Sequence, residues 1–160
     1  NCEKSDFMKR IFFIFIILFS IHVISSAQTR FTIEQISLGG ISPCNSISYV
    51  QSIYGEPTKI ISNGKIILYG KDLVITTYGK PGNLYVKSII STANNGWNLP
   101  TGISVGMNEN VMKDMYGSDY YIFYDKGIKC YQYNGSHCLM YVIFGVKNHK
   151  IVSINVALDQ

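Results

Sequence analysis

Charge is scarce in this 160-residue chain. Lys and Arg number 14, Asp and Glu 10, and charged residues make up 15% of the total. The net charge of +4 is dispersed, with no basic run and no basic amphipathic helix, which excludes a nucleic-acid or membrane-surface binder of the usual electrostatic kind. Histidine is rarer still, at three residues. The four cysteines show neither Cys-x-x-Cys nor Cys/His spacing, which argues against zinc. A glycine-rich phosphate loop and a Gly-x-Ser-x-Gly elbow are also missing. Glu34, Glu56, Asp72, Glu109, Asp114, Asp119 and Asp125 fall at caps, turns and exposed helix positions, and none forms an acid/base dyad. His149 sits in a turn between lysines and reads as solvated. His137 adjoins Cys138 on a strand, where neighbours point to opposite faces, so the two make a poor nucleophile pair. The reading is non-enzymatic, with no cofactor and no metal.

What is present begins with a leader. Met8-Lys9-Arg10 opens a basic region, an apolar run follows over 11–19 and fades by Ile24, and Ser25-Ser26-Ala27 supplies the small residues of a signal-peptidase site. Cleavage after Ala27 is expected, leaving no stable membrane anchor. Residues 1–7 precede Met8 and read as an upstream extension. The mature part, 28–160, would carry 11 basic and 8 acidic residues, a charge of +3, and would be exported, periplasmic or secreted.

The mature part carries a stretch that occurs twice. Gly40-Ile41-Ser42 leads, eleven positions on from Ser42, to Ile53-Tyr54-Gly55, and Gly102-Ile103-Ser104 leads equally to Met115-Tyr116-Gly117, an offset of 62 residues. Residues 28–39 alternate loosely and suggest a lead-in strand. Helices are expected over 47–54, capped by Ser46, and over 109–116, capped by Asn108. Gly55 and Pro57 stop the first. Tyr49, Val50, Ile53 and Tyr54 form one apolar stripe, and Val111, Met112, Met115 and Tyr116 the other. Strands are expected over 58–61, 66–69, 73–78 and 84–91, then 120–124, 128–133, 138–146 and 151–158. Their short links require antiparallel meanders. The predicted class is α+β: two tandem repeats, 28–91 and 102–160, joined by a linker 92–101. Each is a short helix followed by a four-stranded antiparallel meander, with the helices on one face of the sheet. Trp97 in the linker reads as a clamp between repeats.

Gly106-Met107-Asn108-Glu109-Asn110-Val111, Tyr54-Gly55-Glu56-Pro57 and the connector Leu99-Pro100-Thr101-Gly102-Ile103 carry a resemblance. The chain over most of 36–158 resembles the β-lactamase-inhibitor-protein-like repeat and, used once, the envelope lipoproteins of the SmpA/OmlA/BamE type. Repeat one departs from the motif at Pro43-Cys44, and repeat two lacks the proline. The resemblance implies a concave sheet that can bind another protein.

Export favours oxidised cysteine. If Tyr133-Asn134-Gly135 is a three-residue turn, Cys130 and Cys138 lie opposite each other and can form a cross-strand disulfide; two free core thiols are the alternative. Cys44 is left over, as a small buried residue at the helix entrance. Tyr131 and Tyr133 share one strand face with Lys129. Tyr141 joins them in that register, and Tyr69 and Tyr78 occupy the corresponding face of repeat one. A tyrosine row suits protein recognition, and ordinary cross-strand packing accounts for the same rings. The expected function is a protein-binding module of the bacterial envelope using the open sheet face. The alternatives are an inhibitor of a secreted hydrolase such as a β-lactamase, or a small-ligand-binding domain.

Overall fold

The computed structural model describes residues 31–136 and 139–159. The leader and its cleavage site, His137, Cys138 and Gln160 lie outside the described residues.

Eight strands form one continuous antiparallel sheet in the order β1-β2-β3-β4-β8-β7-β6-β5. They are β1 (Lys59–Ile61), β2 (Ile66–Tyr69), β3 (Leu73–Lys80), β4 (Asn83–Ser91), β5 (Tyr121–Asp125), β6 (Ile128–Asn134), β7 (Met140–Lys147) and β8 (Lys150–Leu158). Two helices of eight residues, α1 (Ile47–Tyr54) and α2 (Glu109–Tyr116), each precede four strands in the chain. Their ends are chemically specified. The Ser46 hydroxyl accepts from the Tyr49 N–H at 3.2 Å, and Asn108 Oδ1 accepts from the Asn110 N–H at 2.9 Å. Gly55 and Gly117 stop the helices at φ 72° and 74°, backbone that a side chain would strain.

The expected α+β class is corrected. The protein is mostly β, and the helices do not form a layer over one face of two repeat units. Sixteen helical residues cannot cover eight strands. β4 pairs with β8, from Ser88↔Ala157 to Ser91↔Ile154, and fuses all eight strands into one sheet. The layer on its core face is completed by irregular chain. Phe31, Ile36, Leu38, Ile41, Leu99, Ile103 and Val105 are buried beside Val50, Met112 and Tyr116 of the helices. The lead-in strand predicted over 28–39 is corrected too: Ile33–Gln35 is a 3-10 turn, and Phe31 makes only an isolated bridge to Gly135.

What recurs at the 62-residue offset is the loop and helix side of each contact, with its strand partner 64 or 65 residues on. The Cys44 N–H donates to the Val86 carbonyl and the Gly106 N–H to that of Ile151, both at 2.8 Å. The return bonds, Val86 N–H to Asn45 and Ile151 N–H to Met107, are also 2.8 Å. Tyr69 donates to the Gly55 carbonyl and Tyr133 to that of Gly117, each at 3.1 Å. The aromatic lead-ins cross over. Phe31 stacks on Tyr116 at 3.8 Å between centroids, and Trp97 packs on Tyr54 at 4.2 Å. Trp97, from the connector, therefore clamps the end of α1. Phe31, from the start of the described chain, does the same for α2.

The helix stripes are narrower than expected. Val50 and Met112 are fully buried, whereas Tyr49, Ile53, Val111 and Met115 are exposed. One helix turn laid on a sheet buries an arc about two residues wide, and each stripe spanned four.

Candidate functional site

Registers place one residue of every strand in a row across the outer face: Lys59, Leu68, Val74, Ile90, Asn155, Ile143, Gln132 and Tyr121. A second row on the same face runs Ile66, Thr76, Ser88, Ala157, Tyr141 and Asn134. The core face carries the intervening residues, with Ile67, Ile75, Ile89, Val156, Val142 and Tyr133 in one row. Leu68, Val74, Ile90 and Ile143 are half-buried and stand outside the core cluster. At the centre is Asn155. Its Oδ1 is buried between strands and accepts no hydrogen bond, an unusual state for a buried amide oxygen. Thr76 and Ser88 beside it satisfy one another at 2.6 Å. The face is apolar with short polar groups.

The predicted recognition residues do not converge there. Tyr131 and Tyr133, 2% and 3% exposed, point into the core, where Tyr120, Tyr116 and Phe144 surround Tyr133. Burial raises the Tyr133 phenol, and Tyr116 is pushed up to about 12, so both stay neutral donors. Lys129 lies half-buried on the core side, its Nζ 4.9 Å over the Tyr131 ring. Tyr69 packs on Tyr54 at the helix end. Tyr141 and Tyr78 do belong to the outer side: Tyr141 is half-buried, and Tyr78 is exposed beside Tyr85 at 5.8 Å. Of the six, two are therefore presented outward, and the face is made chiefly of aliphatic residues that no motif marked.

The expected Cys130–Cys138 register is corrected. Cys130 faces Gly145, and the turn closes by a bond from the Gly135 N–H to the Met140 carbonyl, so the loop is longer than three residues. The position opposite Cys130 is thus seven residues beyond Cys138. Cys130 is a buried free thiol, pushed up by desolvation, and Cys44 is a free thiol that is exposed rather than buried.

A polar cluster was missed. Glu109, at the first helical position of α2, is 8% exposed. Its carboxylate accepts from Lys113 Nζ at 2.6 Å, His149 Nδ1 at 2.7 Å and the Tyr131 hydroxyl at 2.8 Å. The Lys113 contact leads in holding its carboxyl at about 2. The backbone joins in, with the Glu109 N–H donating to the His149 carbonyl at 2.9 Å. Lys113 Nζ also stands 5.0 Å over the Tyr131 ring. Ionised at neutral pH and hydrogen-bonded by three donors, Glu109 staples α2 to β6 and to the β7–β8 turn. The i,i+4 spacing to Lys113 was visible in the sequence, but the partners 22 and 40 residues away were not. Among the described residues no group of three His, Cys, Asp or Glu is placed to hold a metal. No described helix is long and apolar enough to cross a membrane.

The fold is thus a single antiparallel sheet backed on one side by loops and two short helices. No protein-family model matches the chain, and no curated protein matches it in sequence. Solved structures do share the fold. A DUF4309 family protein from Bacillus subtilis matches with a TM-score of 0.53 and 12% identity, over 75% of this chain and 83% of that one. A cysteine-rich secretory protein from Staphylococcus aureus matches at 0.55 and 11% over 81% of this chain. An extracellular SCP-domain protein from Bacillus anthracis matches at 0.52 and 9% over 86%. This chain spans 48% of each of the latter two. At such identities the likeness bears on fold alone. It aligns the mostly-β sheet with these proteins, none of which is described as a β-lactamase inhibitor or an assembly lipoprotein.

Proposed function

We propose that this protein is an exported, non-enzymatic module that binds another protein through the outer face of its sheet. One observation carries the reading: the half-buried aliphatic row Leu68, Val74, Ile90 and Ile143, which crosses the outer face outside the core cluster. A partner that lays aliphatic side chains on the row takes that surface out of water. Export is supported by the leader over 8–27 and by the secretory and extracellular descriptions of two similar structures.

The test is affinity capture from an envelope or culture-fluid extract of the source organism. It compares the wild-type protein with an Ile90→Arg/Ile143→Arg variant whose fold is checked by circular dichroism. A partner held by the wild type and released by the folded variant supports the reading. A partner held equally by both moves the site off this face.

A further inference from the structure

The two edges of the sheet are treated differently. β1 is three residues long, carries Lys59, and follows Pro57 closely. Shortness, lysine and proline are the devices that keep an edge from pairing. β5, Tyr121-Ile122-Phe123-Tyr124-Asp125, has no lysine and no proline, and every residue is exposed. Tyr121 is 66% exposed and Tyr124 70%, with Ile122 at 48% and Phe123 at 39%. Only β6 pairs with it, so half its backbone N–H and C=O groups have no place in the sheet's ladder. Apart from Asp125 at its end, its side chains are aromatic or aliphatic on both faces. Ile122 and Tyr124 follow the core rows of Tyr131 and Lys129, and Tyr121 and Phe123 follow the outer rows. Such a strand is shaped to receive another strand, with apolar neighbours above and below it.

We infer that β5 is a self-association edge: two copies of this chain pair antiparallel through Tyr121–Asp125 and extend the sheet from eight strands to sixteen. The occupant follows from the strand itself. A two-fold axis perpendicular to the sheet must keep side chains on their own faces, so it requires an even register. The register centred on Phe123 is the one that pairs all five residues. It sets Phe123 against Phe123 of the second copy, Ile122 against Tyr124, and Tyr121 against Asp125. No like charges meet, and each phenol of Tyr121 reaches a carboxylate. Head-to-tail growth would need β1, which is guarded, so the assembly closes at two. The contact is small. With ~200 Å² per aromatic side chain and the exposures above, each copy buries at most roughly 400–500 Å², which lies at the weak end of specific interfaces. Dissociation in the micromolar range is expected.

Sedimentation equilibrium of the purified protein over roughly three decades of concentration, up to about 0.2 mM, tests this. The expected result is a mass rising from one chain to two. Phe123→Lys, which opposes two ammonium groups across the axis, is expected to remain a monomer throughout. Hydrogen exchange of the wild type gives a readout free of any folding defect, in which the amides of 121–125 gain protection as concentration rises. A monomer at every concentration overturns the inference, as does a Phe123→Lys dimer of unchanged strength. Growth beyond two chains, or protection in β5 that ignores concentration, overturns it equally.

Discussion

Replacing Glu109 distinguishes a structural staple from an ornament. In Glu109→Ala the Tyr131 hydroxyl, on a ring 2% exposed, loses its acceptor. A buried unpaired hydroxyl costs about 1–3 kcal/mol. The Lys113 pair adds little, about 0.3–0.5 kcal/mol, as an i,i+4 contact with a lysine 32% exposed. The His149 contact adds at most about 1 kcal/mol, since that imidazole is 85% exposed. The expected loss for Glu109→Ala is therefore about 2–3 kcal/mol. Glu109→Gln keeps an acceptor for Tyr131 and should lose only about 1 kcal/mol. Urea unfolding at pH 7 measures both, and the midpoint temperatures should fall by about 3–5 °C per kcal/mol for a domain of this size. Acid adds a second axis. The Glu109 carboxyl is held at about 2 against an ordinary 4.5, so its contribution is complete above about pH 5 and disappears as pH falls toward 2. The full shift would correspond to about 3 kcal/mol, but solvent around Lys113 and His149 screens it to about 1–2 kcal/mol. Glu109→Gln should flatten that part of the pH profile. The reasoning is refuted if Gln costs as much as Ala, or if Ala lies within about 0.5 kcal/mol of wild type.

Other outcomes follow from the same geometry. Gly39→Ala should destabilise by about 2 kcal/mol or more, because φ is +60° and a Cβ there overlaps the Trp97 ring and the Tyr54 hydroxyl; thermal melts read it. Tyr116→Phe should cost about 0.5–1.5 kcal/mol, from the Thr101 contact at 2.5 Å, and should remove one of the last phenols to ionise in a spectrophotometric titration. Under native alkylation with peptide mapping, Cys44 should react promptly and Cys130 should be protected until the protein unfolds. Exposed Met115→Lys on α2 should change stability by no more than about 0.5 kcal/mol, whereas Met112→Ala, on the buried side, should cost about 2–5 kcal/mol.

Much of the local structure was legible. Ser46 and Asn108 announced helix starts and Gly55 a helix stop, because capping depends on neighbours within four residues. The eight strands followed from turn residues and short links; Trp97, expected as a clamp between repeats, packs on Tyr54 at the end of α1. The errors concern distance. A three-residue turn after β6 set Cys130 against Cys138 and placed Tyr141 on the face of Tyr131 and Tyr133, whose rings read equally as recognition or as packing. The longer turn and the irregular chain over the core face decide otherwise. The candidate face was harder to see, since Leu68, Val74, Ile90 and Ile143 look like any strand residues until the registers align them.

By itself the sequence placed both helices and most of the strands, because caps, turns and short links act through backbone within a few residues. Only the tertiary structure decided that β4 and β8 join all strands into one sheet, which face of it is buried, that Glu109 meets Tyr131 and His149, and that β5 is left at an unguarded edge. Each of these is a pairing between distant residues, set by whichever register buries the most apolar surface while satisfying the backbone, and no local pattern encodes that comparison.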